Sequence, residues 1–550
     1  MNDEVWQRLT RLFGLDCLRY LLARETAAPD GSSLPTDLTS QQLEVLGTLA
    51  RIFSTDIPEG LDRDTVFERR HSVAVHLSMF PENGRLEPRP TGVDGSSRSL
   101  AEELRQASGG QREASTTKDP LPRSLFQLLE HAYPMLLLPV AGPGMWPSVG
   151  SLHWHPAETA FRDAVMADEV LQKLFYEERE HEGHRGSYIG SLNRGGIQLL
   201  AFSSTLILKA WDLTRLDSVT PSFEEVYRKL LVVVAAIRDV VDGRVVDLPV
   251  RVGFAGIRLP DDFAGAALSG WRLRSVDRRD GWIIERAEMP GQAASTGPDG
   301  VDVLIDYAGN VVLEFTAPYR VKIGHFADNV VPLDLENHFT AMNQAIELVR
   351  LGLALAPSSD RGLVAPAWIA TFDLLVQGWN VNVFDTRNAY KLKPQRLDAA
   401  QAEEWMKWID LIRGVEERKR IQIALRRFLL ALAERKTPED VLIDSVIVWE
   451  NLFGANGETS LRVSGSLAWL LGTDAADRRK LRTEFNAIYG LRSKIVHGSA
   501  DMKPGEIEMS EKALAIAAKA LRAIFEHRPD LLLDADSATR SIRLLLGDTD

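Results

Sequence analysis

The stretch that decides the reading is EFNAIYGLRSKIVHG, residues 484–498. Phe485, Ile488, Leu491 and Ile495 recur at three- and four-residue intervals, the stripe of a helix with one buried face. Arg492 and His497 lie off that stripe. Gly498 is a natural helix stop, which puts His497 in the last turn. At about 100° per residue, a five-residue step sets Arg492 and His497 about 140° apart, so the pair would flank a groove rather than touch along one face.

Outward from this stretch the helical periodicity continues. RKRIQIALRRFLLAL (418–432), PEDVLIDSVIVWENLF (438–453), 461–471, 474–497 and 510–526 each read as one helix, with a short last helix at 537–546. Together they define a helical unit over residues 415–550. Upstream, 4–25 and 39–52 read as helices within a segment 1–124, and Gly, Pro, Ser, Arg and Glu dominate 81–123, which predicts a mobile loop with a short helix at 99–106. Residues 125–414 read as a mixed region. Helical patterns at 125–138, 157–180, 196–211 and 222–241 give way to short β-type runs at 245–252, 270–276, 282–288, 301–305 and 311–315. Tyr307-Ala-Gly-Asn310 is a plausible hairpin turn, and a small antiparallel sheet is expected over about 245–323. Helices are predicted again at 333–355, 368–376 and 397–412. The fold class is α+β, mainly α.

Composition bounds the function. The chain has 550 residues, 45% hydrophobic and 26% charged, an ordinary globular balance with room for several domains. No apolar run is long enough to span a bilayer, and the N-terminus MNDEVWQRL lacks the basic-then-apolar pattern of a secretory signal. Cys17 is the sole cysteine, so an internal disulfide and a multi-cysteine zinc site are excluded, and a buried thiol in a reducing cytoplasm is the expected state. The net charge of −13 argues against a general DNA-coating protein. That charge is uneven: residues 416–530 hold 19 Lys+Arg against 17 Asp+Glu, so the C-terminal unit is the better candidate to meet a polyanion.

Familiar chemistry is mostly missing. There is no G-x-x-x-x-G-K-[ST], no G-x-G-x-x-G after a strand and no H-E-x-x-H. His153, His155, His181 and His184 lack acidic or cysteine ligands at matched spacing, so no metal or cofactor is expected. Arg-x4-His spacing alone decides little, because His76, His184, His325 and His527 also follow an Arg by five to seven positions. Its setting on an amphipathic helix singles out the pair Arg492 and His497.

PEDVLIDSVIVWENLFG (438–454) and IYGLRSKIVHG (488–498) resemble the Apea-like branch of the HEPN superfamily, over about the last fifth to quarter of the chain. Residues 1–400 carry no recognised resemblance. Where HEPN motifs often place Asn, Asp or His directly after the Arg, this chain has Ser493. The resemblance implies an antiparallel HEPN helical bundle that pairs as a homodimer across a shared groove. It also implies a metal-independent endoribonuclease. His497 would act as general base or acid towards the RNA 2′-OH, and Arg492 would hold the scissile phosphate. Products would carry 2′,3′-cyclic phosphate and 5′-OH ends, with tRNA as a target class. Such domains are often associated with phage defence and abortive infection. The N-terminal region would then restrain the nuclease until a trigger or regulatory partner acts.

Ser493, Lys494, Arg426 and Arg427, with 418–420 and 478–480, could line the approach for RNA, although each charged group is individually more often a solvated helix face. Asp444 and Glu450 could orient the Arg or the His; helix packing is the alternative. Two other readings stay open: a non-catalytic HEPN module that dimerises or binds RNA or a nucleotide, and a different enzyme within 120–400.

Overall fold

The computed structural model describes residues 2–24, 33–82, 85–87, 98–111, 115–139, 149, 152–175, 177–178, 185–192, 195–261, 263, 265–268, 270–281, 283, 292–296, 302–306, 309–324, 335–359, 363–376, 378–384, 392, 395–455, 459–498 and 502–547. The protein is mainly helical with small antiparallel sheets.

The first helix, Asp3–Leu21, is capped by the Asn2 side chain and buries Trp6, Leu9, Leu12, Phe13, Cys17, Leu18 and Leu21, the face its periodicity predicts. Gly14 sits inside it at φ 74°, where the chain kinks, and a Cβ there would run into Pro139. Helices Ser40–Ile52 and Leu100–Ala107 each begin with a capping box, Thr39 with Gln42 and Ser99 with Glu102. Arg63–Ser78 is a further helix that periodicity did not reveal, because its apolar residues do not form a single stripe. Within 81–123, the described residues also hold a short hairpin pairing Phe80–Glu82 with Arg85–Glu87.

In the middle of the chain, helices Pro120–Leu136, Pro156–Ala167, Phe202–Thr214 and Phe223–Val241 build a core against one face of a six-stranded antiparallel sheet. The strand order is Trp379–Val383, Ala365–Phe372, Val246–Ala255, Val311–Tyr319, Trp271–Ser275, Ala266–Leu268. Val312, Trp368, Ala370 and Phe372 face that core, while Val250, Val252, Phe254, Leu313, Phe315 and Ile369 face the other way, towards helices Leu335–Leu355 and Ala399–Gly414.

Four sequence expectations are corrected here. Residues 157–180 are not one helix: Pro156–Ala167 is closed by Asp168, and a 3-10 turn, Leu171–Phe175, and a short strand, Glu177–Glu178, follow. Residues 368–376 are not a helix. Ala365–Phe372 is an interior strand, and because both of its faces are buried its sequence is a continuous apolar run without alternation. The sheet therefore reaches to residue 383, beyond 323. Residues 196–211 begin as a strand, Gly195–Gln198, pass through a 3-10 turn at Leu199–Ala201 and become α-helical from Phe202. Finally, Asp302–Asp306 pairs with Gln292–Thr296 rather than with Val311–Tyr319, so the two runs on either side of 307–310 are not hairpin partners. Most of the predicted run 282–288 lies outside the described residues.

The C-terminal helices Gln422–Leu429, Pro438–Phe453, Thr459–Leu471, Ala475–Val496, Ile507–His527 and Ser537–Leu546 share one core. That core extends upstream of residue 415. Leu348, Leu351 and Leu355 join it, as do Trp408 and Ile412, while Val349, Leu353, Trp405 and Ile409 pack against the sheet. Two helices thus present opposite faces to two cores and tie the bundle to the sheet.

Candidate functional site

Two helices position the site. Pro438–Phe453 is started by the Thr437 cap and by Pro at its first position, with Glu439 and Asp440 in the first turn favouring the helix dipole. Ala475–Val496 is started by Asp474, whose carboxylate accepts from the amides of Ala476 and Asp477. It buries Phe485, Ile488 and Leu491, with Ile495 half-buried, which seats the helix and turns Tyr489 and Arg492 towards its neighbour.

Glu450 meets both of those side chains. Arg492 Nη2 donates to Glu450 Oε2 at 3.1 Å, and the Tyr489 hydroxyl donates to Oε1 at 2.6 Å. Tyr489 and Arg492 are three residues apart, so they share one helix face and can grip one carboxylate. Burial, and then the hydrogen bond to the Glu450 carboxylate, push the Tyr489 phenol up to about 12. Arg492 Nε is shut away from solvent with no hydrogen-bond partner among the described residues. The Arg492 side chain as a whole is 20% exposed.

His497 is the residue at which the helix ends. Its amide donates to the Ser493 carbonyl, and Gly498 follows at φ 65°, the left-handed stop the sequence predicts. The His497 ring is exposed, as are its neighbours Lys494 and Val496, while Ser493 is half-buried. One chain thus presents a guanidinium fixed on its inner side by Glu450 and a solvent-facing imidazole, five residues apart along one helix.

The weaker candidates divide. Glu450 does orient Arg492. Asp444 does not: it is nearly fully buried and accepts from Arg427 Nη1 at 2.7 Å and from Arg435 Nε at 2.5 Å. Arg427 is therefore tied to the Asp444 carboxylate, whereas Arg426 is exposed. Among the other basic rows, Arg418 holds the carbonyls of Arg413 and Val415, Arg420 those of Leu532 and Leu533, and Arg478 the carbonyl of Gly472 while stacking on Trp469. Lys419, Arg479, Lys480 and Lys494 remain exposed. Tyr489 was missed in the sequence, although its position three residues before Arg492 was a legible signal.

Elsewhere, His181 and His184 lie outside the described residues, and among the described residues no three His, Cys, Asp or Glu side chains converge as a metal site. His155 caps helix Pro156–Ala167 by accepting from Ala157 N at 3.1 Å. Cys17 is wholly buried, which pushes its thiol up and away from the reactive thiolate. Among the described residues, no helix is long and apolar enough to cross a membrane.

No family model matches the chain, and neither a curated protein nor a solved structure does.

Proposed function

We propose that the protein is a metal-independent endoribonuclease of the HEPN type, acting on RNA and tRNA in particular, and serving as a bacterial anti-phage or toxin-type effector restrained by its N-terminal region. The observation that carries this reading is the state of Arg492: anchored by Glu450 on one side, with a buried and unpartnered Nε and a side chain that is 20% exposed. A guanidinium held this way is preorganised to receive a phosphate oxygen.

In this reading His497 takes the 2′-OH proton, or supplies one to the departing 5′-oxygen. The 2′-oxygen attacks the adjacent phosphorus, the P–O5′ bond breaks, and the ends are a 2′,3′-cyclic phosphate and a 5′-OH. Arg492 compensates the charge that builds on the phosphate oxygens. Glu450 and Tyr489 are positioning residues that fix the guanidinium. His497 faces solvent, so a second copy of the helix would be needed to enclose the phosphodiester, and the active form is a homodimer in the cytoplasm. The test is incubation of wild type and His497→Ala with total RNA in EDTA, followed by sequencing of new 5′-OH ends. Equal cleavage by both proteins would reject the reading.

One observation favours a second reading, a non-catalytic module that dimerises or binds RNA or a nucleotide. The Arg492 charge is already balanced within the chain by Glu450. Tight RNA binding with no cleavage by a dimeric sample would select it.

A further inference from the structure

Between the N-terminal helices and the central core lies a cavity of about 650 Å³. Its walls come from the end of helix Asp3–Leu21, from helix Leu100–Ala107 and the residues flanking it, from the last turns of Pro120–Leu136, and from the start of Phe223–Val241. We propose that this cavity is a binding site for a ribonucleotide.

The size fits, since small-molecule sites fall at roughly 300–1,000 Å³. The chemistry of the walls selects the class. Arg19, Arg24, Arg98 and Arg105 bring four guanidiniums, and Asp16, Glu102, Glu130 and Glu224 bring four carboxylates. An apolar ligand would strip water from these charges and return nothing. A bare inorganic anion would use the guanidiniums only, and would fill a small part of the space. A ligand is needed with an anionic end, several hydroxyl or amino donors, and a flat face.

The flat face has a counterpart. Tyr20 stands edge-on to Tyr133 at 5.3 Å between ring centroids, and the Arg105 guanidinium lies over the Tyr20 ring at 4.3 Å. Tyr133 is fixed in turn by its hydroxyl, which donates to the Pro221 carbonyl at 2.7 Å, and by Phe223 at 5.7 Å. The rings therefore back the Arg105 guanidinium, whose outer plane is the flat surface on which a base can stack. For the anionic end, Arg24 is the best-placed fork. Among the described residues its guanidinium engages only the Asp37 carboxylate, through Nη2. The N-terminus of helix Phe223–Val241 reaches the same wall but is closed by its capping box, Ser222 with Glu225, so the guanidiniums alone serve the anionic end. Carboxylates such as Glu130 and Glu224 suit ribose hydroxyls and exocyclic amines, which donate.

The site joins two separate hydrophobic cores. Leu9, Leu12 and Leu49 belong to one, and Leu125, Leu129 and Phe161 to the other. A bound ribonucleotide would bridge them and stiffen the junction.

The test is calorimetric titration of the full-length chain carrying Arg492→Ala, so that nucleotide contacts at the bundle site do not contribute and no cleavage assay is involved. The probes are the common ribonucleoside mono- and triphosphates, the matching nucleosides, and inorganic phosphate. One ribonucleotide is expected to saturate at a Kd on the order of 10–100 µM, with its nucleoside at least about tenfold weaker. Arg24→Gln and Arg105→Gln should each weaken it about tenfold or more. Arg105 also holds the Tyr20 carbonyl, so the melting temperature of each variant is measured, and Arg24→Gln, whose partner Asp37 is exposed, serves as the variant that disturbs folding least. Absence of binding at about millimolar ribonucleotide, equal binding by Arg24→Gln and the parent chain, or equally tight binding of phosphate alone would overturn the proposal.

Discussion

Arg492 Nη2 and Glu450 Oε2 lie 3.1 Å apart and join the helix that ends at His497 to the helix Pro438–Phe453. This one ion pair fixes which way the guanidinium fork points. It also makes the roles of the surrounding residues separable by mutation.

The first prediction concerns the reacting groups. His497 is exposed, and among the described residues its side chain makes no hydrogen bond or ion pair, so His497→Ala should leave stability within about 0.5 kcal/mol of wild type. RNA cleavage in EDTA should fall by at least about a hundredfold, the lower range for general acid–base catalysis. Arg492→Ala should lose cleavage as well, with a larger stability effect because Glu450 is left without its cation. Gel analysis of RNA beside urea melts separates the two outcomes.

The second concerns the positioning residues. Tyr489→Phe removes one hydrogen bond and should cost about 0.5–1.5 kcal/mol of stability. Because Arg492 keeps Glu450, kcat should change only a few-fold, at about the level expected for a small shift of the fork. Glu450→Gln keeps the shape but removes the charge. It should reduce kcat more than Tyr489→Phe does, and raise KM little. A Glu450→Gln enzyme with unchanged kcat would remove Glu450 from the machinery. The Tyr489 phenol, held neutral up to about 12 by burial and by Glu450, binds its proton in the folded state after the unfolded chain has lost it. Stability should therefore decline as pH rises from about 10 to 12, and Tyr489→Phe should lessen that decline, the rest belonging to Tyr20, Tyr133, Tyr227 and Tyr319, whose phenols burial also raises.

How far the sequence carried the reading depends on the kind of signal. The apolar stripe Phe485, Ile488, Leu491 and the stop at Gly498 are local, and both were readable. The strand Ala365–Phe372 was not. Ile369 serves one core while Trp368 and Phe372 serve another, so no polar alternation marks it as a strand. The site followed the same rule. Arg492 and His497 lie on one helix, and the apolar stripe beside them singled them out. The Arg427–Asp444 pair joins two helices, and its two residues were assigned to separate roles in the sequence because nothing local links them.

The third prediction concerns Glu158, wholly buried in the first turn of helix Pro156–Ala167, with Arg162 no closer than 3.8 Å. Burial is the main cause that raises its carboxyl to about 7. The folded state therefore keeps this proton between about 4.5 and 7 while the unfolded chain releases it, so folding stability declines as pH rises through that window. Glu158→Gln should remove this group's share of the pH dependence and stabilise the protein at pH 8 by roughly 1–3 kcal/mol, read from urea melts at pH 5 and pH 8. A difference between the two pH values that is the same in variant and wild type would place the titration elsewhere.

The fourth separates structural from RNA-binding arginines in the bundle. Asp444 is buried and holds Arg427 and Arg435, both of which are about a third exposed. In Asp444→Ala the two guanidiniums can rehydrate, so the loss should sit near the lower end for a broken buried pair, about 1–2 kcal/mol. If these arginines serve the fold, Arg427→Ala should leave RNA affinity and its salt slope unchanged, whereas Lys494→Ala, at an exposed position beside His497, should reduce the slope of log K against log salt by about 1. Filter binding of the Arg492→Ala chain, which should not cleave, at several salt concentrations gives both slopes. A lower slope in Arg427→Ala would mean that RNA competes with Asp444 for this guanidinium, and that the pair seen in the free protein opens when RNA binds.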